Sequence, residues 1–457
     1  MSERPERFSH ASFQGLIGVA HRDITPPVGI YARNWGAAKH DACEGIHRPL
    51  SVTAMTLREN EDAPPLALLA IDLIGDGDHR NPLVNAVIDS LGIDSSRVMM
   101  AFGHTHAGPA QQAWGDLEGM DLVPAYASSV VNAVAEAATE ALNDSAPGTL
   151  SWHYGACQLA TNRDLQDPDA ERLITGFNPR HQADDTVLVG RVTGDDGAVR
   201  ATLVNYACHP TTFAWDNKLI SPDWVGAMRE VVETQTGGAP CLFLQGASGE
   251  LSPREQYTAD PQIVDRNGRQ LGFAVLATLE DMLPPNTVLD YDRVVESGAP
   301  LGTWKRADQE PSRALAAEEC TVDLKLKPDI PTIEELKSRM EREADRALRE
   351  RLRRKLALRS RLGNGDTFGS PVWLWRVGDA ILVGLGNEAY SDFQMELRKA
   401  FPGRHLAVMN LVNGSMGYLA PQSLYDSDLY QVWQSPFDRG GLENLIESCR
   451  KAIAAEG

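Results

Sequence analysis

Arg97-Val98-Met99-Met100-Ala101-Phe102-Gly103-His104-Thr105-His106-Ala107-Gly108-Pro109 is the stretch that decides the fold. Residues 97–102 form a short apolar run, the mark of a buried strand. Two histidines one residue apart follow it. In extended backbone, residues i and i+2 share a side, so both imidazoles are expected to face one cavity beyond the strand end. Upstream, 66–73 is another apolar run of strand length, and 83–91 has helical period. Strand, helix and strand at this spacing make a βαβ unit with parallel strands, and the fold class is α/β.

The same design returns further along. Residues 185–194 and 199–207 read as strands joined through Gly194-Asp195-Asp196-Gly197, a hairpin-type turn. A helix at 224–234 and a strand at 240–245 follow. Residues 371–377 and 380–385 form a hairpin around Gly378-Asp379, then a helix at 390–400 and a strand at 405–411. The Ala-rich stretch 124–142 is helical and opens on Pro124. Thr332-Ile333-Glu334-Glu335 is a capping-box start. Apolar Leu336, Met340, Ala344, Ala347, Leu348, Leu352 and Leu356 then recur near helical spacing until Gly363. The expectation over 332–362 is one long surface helix with an apolar stripe and a solvated basic tail, 349–361. No internal sequence repeat or linker is visible, so a single domain, 1–457, is the simplest organisation.

Composition narrows the partners. The 457 residues are 42% hydrophobic with a net charge of −20, which suits a large buried core and excludes nucleic acid as a main partner. Residues 1–7 lead into no apolar signal region, and no run approaches the ~18 residues of a membrane span, so no membrane insertion is expected. A cytoplasmic location is expected, with the six scattered cysteines as reduced thiols. A homo-oligomer is compatible with the sequence.

Apolar strands end in polar, glycine-containing segments at His104 and His106, at Ser252, at Glu388 and at Tyr418, and another ends at His209. In α/β sheets, ligands and catalysis collect beyond the carboxyl ends of strands. Three or four N and O ligands from histidine and carboxylate suit zinc, and a catalytic zinc keeps one position open. His104, His209 and Glu388 are the candidate ligands. Tyr418 is the weakest member on spacing alone, since a phenol must lose its proton to bind as an anion. His21, His40 and His47 read as loop histidines.

These segments resemble the catalytic domain of the neutral/alkaline (non-lysosomal) ceramidases. The matching pieces are Gly18-Val19 with Asp23-Ile24-Thr25, residues 104–109, Asn162-Arg163, His209-Pro210-Thr211, Gly249-Glu250-Leu251-Ser252-Pro253, Glu388, and 413–418 with Tyr425 and Tyr430 downstream. The resemblance implies mixed β-sheets flanked by helices, here with a helical insertion near 332–362 and without the family's C-terminal immunoglobulin-like domain. It implies one zinc per chain held by His104, His209, Glu388 and Tyr418, with His106, Arg163 and Tyr430 around the reacting centre. It places the family's proposed nucleophilic serine at Ser252. The family's serine motif is similar to Gly-Asp-x-Ser-Pro-Asn, and Glu250 and Arg254 depart from it. Both are expected to reshape the pocket floor, and Arg254 hints at an anionic group on the substrate.

The expected function is zinc-dependent hydrolysis of a linear, non-peptide amide in a soluble small-molecule N-acyl substrate. Zinc would bind the carbonyl oxygen, a water, or both. His106 would carry a proton to the leaving amine. Arg163 and Tyr430 would stabilise the oxyanion or grip a polar group, and Ser252 would be nucleophile or hydrogen-bond donor. Three rivals stand beside this: a zinc esterase or lactonase using the same residues, an amidohydrolase-type (β/α)₈ barrel, and a non-catalytic metal- or lipid-binding module with a closed ligand shell.

Overall fold

Three times the chain makes an antiparallel hairpin, a helix, and a strand that returns parallel to the hairpin's second strand. The computed structural model describes residues 7–75, 77 and 81–455. The first module is Ser51–Arg58, Leu66–Ile71, the helix Pro82–Leu91 and Val98–Phe102. The second is Thr186–Gly194, Val199–Tyr206, the helix Trp224–Gln235 and Cys241–Gln245. The third is Thr367–Val377, Ala380–Leu385, the helix Asp392–Ala400 and His405–Met409. Every residue of Leu66–Ile71, Val98–Phe102, Cys241–Gln245 and Ala380–Leu385 is buried. Strands covered on both faces need no polar alternation, which is why they read as continuous apolar runs.

Modules one and two share an eight-stranded mixed sheet, joined at its centre by the long strands Ala11–Asp23 and Ala146–Ala156. Module three, with Leu315–Lys325 on its edge, makes a four-stranded mixed sheet. The two sheets pack face to face. Trp373, Trp375 and Leu382 of the smaller sheet meet Phe13, Met55, Leu150 and Trp152 of the larger. Burial of such rings, on the order of 150–250 Å² each, dominates the energetics of the seam. Outer helices cover the far faces. Pro82–Leu91 and Val123–Asn143 cover one end of the large sheet and Trp224–Gln235 and Pro261–Asp281 the other. Asp392–Ala400 and Gly441–Ala455 pack beyond the small sheet.

The α/β class with mixed sheets flanked by helices holds, and an open eight-stranded sheet replaces the closed-barrel rival. The expected single helix over 332–362 is two. Ile333–Arg342 starts with the Thr332 capping box, and Arg346–Arg359 starts at Asp345, whose Oδ1 accepts from Leu348 N at 2.9 Å. Glu343 takes an extended ψ of 118°, which breaks the helix before Ala344. The capping carboxylate of Asp345 then starts a new one. The N-terminal strand is longer than its proline-bounded end suggests, running 13 residues from Ala11. No described helix is long and apolar enough to cross a membrane, and all six cysteines are free.

Candidate metal centre

Each module delivers its third residue past the middle strand to one point. Those residues are Ile74 after Leu66–Ile71, His209 after Val199–Tyr206, and Glu388 after Ala380–Leu385. The first module adds His104, two residues past Val98–Phe102. Gly103 N donates to Ile71 O at 2.8 Å and His104 N to Leu73 O at 2.9 Å, and the backbone turns with His104 at φ 61°. This left-handed turn, rather than strand alternation, aims the imidazole. His104 and His106 still face one cavity, with ring centroids 5.0 Å apart.

The histidine tautomers follow from their partners. His104 Nδ1 donates to the Ile74 carbonyl, and His209 Nδ1 donates to the Ser248 carbonyl at 2.7 Å. A carbonyl only accepts, so each Nδ1 carries a proton, and in the neutral imidazole each Nε2 then presents a lone pair. Both lone pairs point at Glu388, whose Oε2 lies 3.1 Å from His209 Nε2 and 3.4 Å from His104 Nε2. The three side chains are buried, and their donor atoms lie within 4.8 Å of one another. Burial, followed by the charge of Arg163, lowers the His209 pKa to about 4. Three converging acceptors with no proton between them repel unless a cation takes the space. The residues present therefore fit a metal, and two nitrogens with one carboxylate oxygen suit zinc.

Tyr418 sits beside the carboxylate because Glu388–Ala389 and Tyr418–Leu419 pair as short parallel strands, with Glu388 opposite Tyr418. Burial and the Glu388 charge raise the phenol pKa well above its ordinary value. The loop carrying Tyr418 is anchored by Asn413. Its Oδ1 accepts from Met100 N at 2.7 Å and its Nδ2 donates to Val98 O at 2.9 Å, closing the free edge of the strand before His104. The sequence placed Asn413 in a family motif but gave no reason for it.

Arg163 and Ser252 lie beneath this floor. Ala160–Asn162 pairs antiparallel with Leu251–Pro253, and Leu251 O accepts from His209 N at 2.9 Å. Arg163 Nη2 donates to Gly249 O at 2.6 Å and to the Tyr418 hydroxyl at 3.3 Å. Gly249 must be glycine, since a Cβ there would meet the Tyr390 ring at 2.7 Å. The Ser252 hydroxyl is fully buried and bonds to none of the described residues. His106 is half-buried against Trp35, ring centroids 5.1 Å apart, and neither ring nitrogen has a partner among the described residues. Burial, with the neighbouring His104 and His209, holds its pKa well below the ordinary value. Tyr430 opens the helix Tyr430–Gln434, its ring centroid 5.8 Å from that of Tyr418.

A cavity of about 370 Å³ stands over the centre, with His104, His106, Glu388, Tyr418 and Tyr430 in its lining. Glu250 and Arg254 do not line it, which corrects the expectation that both reshape the pocket floor. The Glu250 carboxyl accepts from Ser391 N at 3.0 and 3.1 Å and from the Ser391 hydroxyl, at the start of the helix Asp392–Ala400. Arg254 lies 5.5 Å over the Phe177 ring, in a separate hollow with Asn178 and His181. His21, His40 and His47 stay outside the centre. His21 is in a strand and bonds Thr53, while His47 meets Ser221 and Asp265. The sequence missed the other cavity walls, Arg33 and Asn34 from one loop and Arg353 to Lys355 from the basic helix.

Comparison with known proteins agrees with this architecture. A family model for the N-terminal domain of neutral/alkaline non-lysosomal ceramidase matches residues 16–255, more than half of the chain. The crystal structure of neutral ceramidase from Pseudomonas aeruginosa has a similar fold, with a TM-score of 0.64 at 17% identity, covering 97% of this chain and 74% of that one. A ceramidase complexed with C2 gives a TM-score of 0.65 at 16% identity, with the same coverage. No curated protein matches the chain.

Proposed function

The chain belongs to the neutral/alkaline non-lysosomal ceramidase family, and we propose that it is a zinc-dependent hydrolase of a linear, non-peptide N-acyl amide. The observation that carries this is the convergence of two bare Nε2 atoms and the Glu388 carboxylate at 3.1 and 3.4 Å, each histidine locked by a backbone carbonyl behind it. Family membership supports amide cleavage, and the donor set supports zinc.

His104, His209 and Glu388 would hold the metal, with the Tyr418 hydroxyl as a fourth ligand. When bound, zinc supplies Lewis acidity to the scissile carbonyl. His106 lines the cavity, is held neutral and has no partner among the described residues, so it is placed to take a proton from the attacking water and return it to the leaving nitrogen. Arg163 positions the Tyr418 hydroxyl through its hydrogen bond. Tyr430 faces the cavity and donates to the developing oxyanion. The Ser252 hydroxyl has no base in hydrogen-bond reach among the described residues and stands outside the cavity lining, which argues against a nucleophile.

The test joins metal analysis to hydrolysis of matched N-acyl amides and esters, with and without chelator. One zinc per chain and chelator-sensitive amide cleavage are expected. Full activity after chelation overturns the zinc role. Cleavage of the ester alone moves the enzyme to the esterase rival.

A further inference from the structure

The basic helix Arg346–Arg359 forms a wall of the cavity that contains the metal centre. From 346 to 361 the chain has eight lysines and arginines and one acid, Glu350, in a protein of net charge −20. The wall is assembled, not loose. Arg353 donates to Glu350 at 3.0 and 2.6 Å, and its guanidinium lies 4.1 Å over the Trp114 ring. Arg354 donates to the same carboxylate at 3.1 Å and to Asn34 O at 2.5 Å. One carboxylate thus serves two guanidinium groups. Lys355 lines both the cavity and the adjoining hollow that holds Lys327, Asp329 and Trp433, and it makes no ion pair among the described residues. Its ammonium stands 5.6 Å from the Trp433 ring, and Asp329, whose charge acts on it, is outside ion-pair distance. Among the described residues, the only carboxylate in the lining is Glu388, already committed to the histidines.

A half-buried surplus of positive charge is costly unless an anion completes it. Ala110, Trp114, Ala357 and Leu358, also in the lining, are apolar and suit an acyl chain. We infer that this wall binds an anionic oxygen group of the substrate away from the scissile bond, with Lys355 the specificity-determining residue. The substrates are then N-acyl compounds bearing a carboxylate, phosphate or sulfate. This rests on the amide-hydrolase reading, and it moves the anion-binding role from Arg254 to the helix that the sequence left as a solvated face.

The experiment compares kcat/KM for an N-acyl amino acid and for the N-acyl amine of the same chain length. Wild-type protein should favour the acid by at least about tenfold, the size of one charge-assisted hydrogen bond. In Lys355→Gln the acid-over-amine ratio should fall roughly 10- to 100-fold, and Lys355→Arg should keep it, with circular dichroism confirming the fold of both. A wild-type preference for the uncharged amine, or an unchanged ratio in Lys355→Gln, overturns the inference. So does faster cleavage of ceramide in phosphatidylglycerol vesicles than of the soluble acid, which would make the basic helix a membrane-docking surface. Calorimetric titration of chelated protein with the same two compounds needs no turnover. Tighter binding of the acid, lost in Lys355→Gln, supports the anion site even if no amide is cleaved, and equal binding of both compounds overturns it.

Discussion

Replacing Glu388 by Gln should have opposite effects on the metal-loaded and metal-free protein. In the metal-free protein the Glu388 Oε2 faces two lone pairs at 3.1 and 3.4 Å. With His209 held neutral by a pKa of about 4, no proton bridges His209 and Glu388 at pH 7. An amide nitrogen in that place presents two N–H groups to two acceptors, and its oxygen can still accept from Tyr418. A neutral hydrogen bond is worth ~0.5–1.5 kcal/mol, so Glu388→Gln should stabilise the metal-free protein by about 1–3 kcal/mol. It also removes the only charged ligand. Wild-type protein with free metal at 100 to 1,000 times the dissociation constant gains about 2.7–4.1 kcal/mol, and the variant should gain almost none. The expected order of melting is loaded wild type, then Glu388→Gln, then chelated wild type. Scanning calorimetry in chelator and in micromolar zinc reads all three, with elemental analysis on the same samples. If Glu388→Gln melts below chelated wild type, the imidazoles are protonated and paired with the carboxylate, and the argument from bare lone pairs fails.

His104→Ala and His209→Ala should each abolish zinc retention and activity, whereas full retention in both, or two tightly bound metals per wild-type chain, would refute the ligand set. Ser252→Ala should keep the metal and lose ~10²–10³ in turnover if the hydroxyl is a donor, and mass spectrometry for an acyl adduct separates this from a nucleophile, whose loss costs more. Burial pushes the Glu250 carboxyl up to about 8, while an unfolded glutamate titrates near ~4.3. Between these values the folded chain holds a proton that the unfolded chain has released, so stability falls as pH rises through that window. Glu250→Gln should flatten this part of the melting-temperature profile, and an unchanged slope would show that Glu250 is not its source.

The centre was legible because its strands are. A strand buried on both faces shows as an apolar run, and its end shows as the first polar residues, which is how His104, His209 and Glu388 came together before any coordinates. Other elements carry weaker signals. Ala146–Ala156 opens on alanine, proline and glycine, and the edge strand Leu315–Lys325 mixes acids with apolar residues. Pro261–Asp281 has a readable start, with Asp260 accepting from Gln262 N and Pro261 in the first turn, but Asn267, Gly268, Gly272 and Thr278 on its buried face dilute the apolar stripe. The threefold module was invisible because only its pairing pattern recurs, not its residues. The position of the basic helix over the cavity is set by contacts such as Arg354 to Asn34, 320 residues apart, which no local pattern encodes.

The delivery of one ligand by each module has a consequence for the order in which the protein is made. His104, His209 and Glu388 are far apart in sequence, and closing such loops costs entropy that no local contact repays. A nascent chain that has emerged as far as residue 255, the end of the family-matched segment, carries both histidines but not Glu388. On the proposed ligand set, high-affinity metal capture would wait until the third module has formed and docked its sheet against the first two. Zinc uptake, followed in time during refolding, would then be a clock for the final assembly step rather than a seed for the earlier ones.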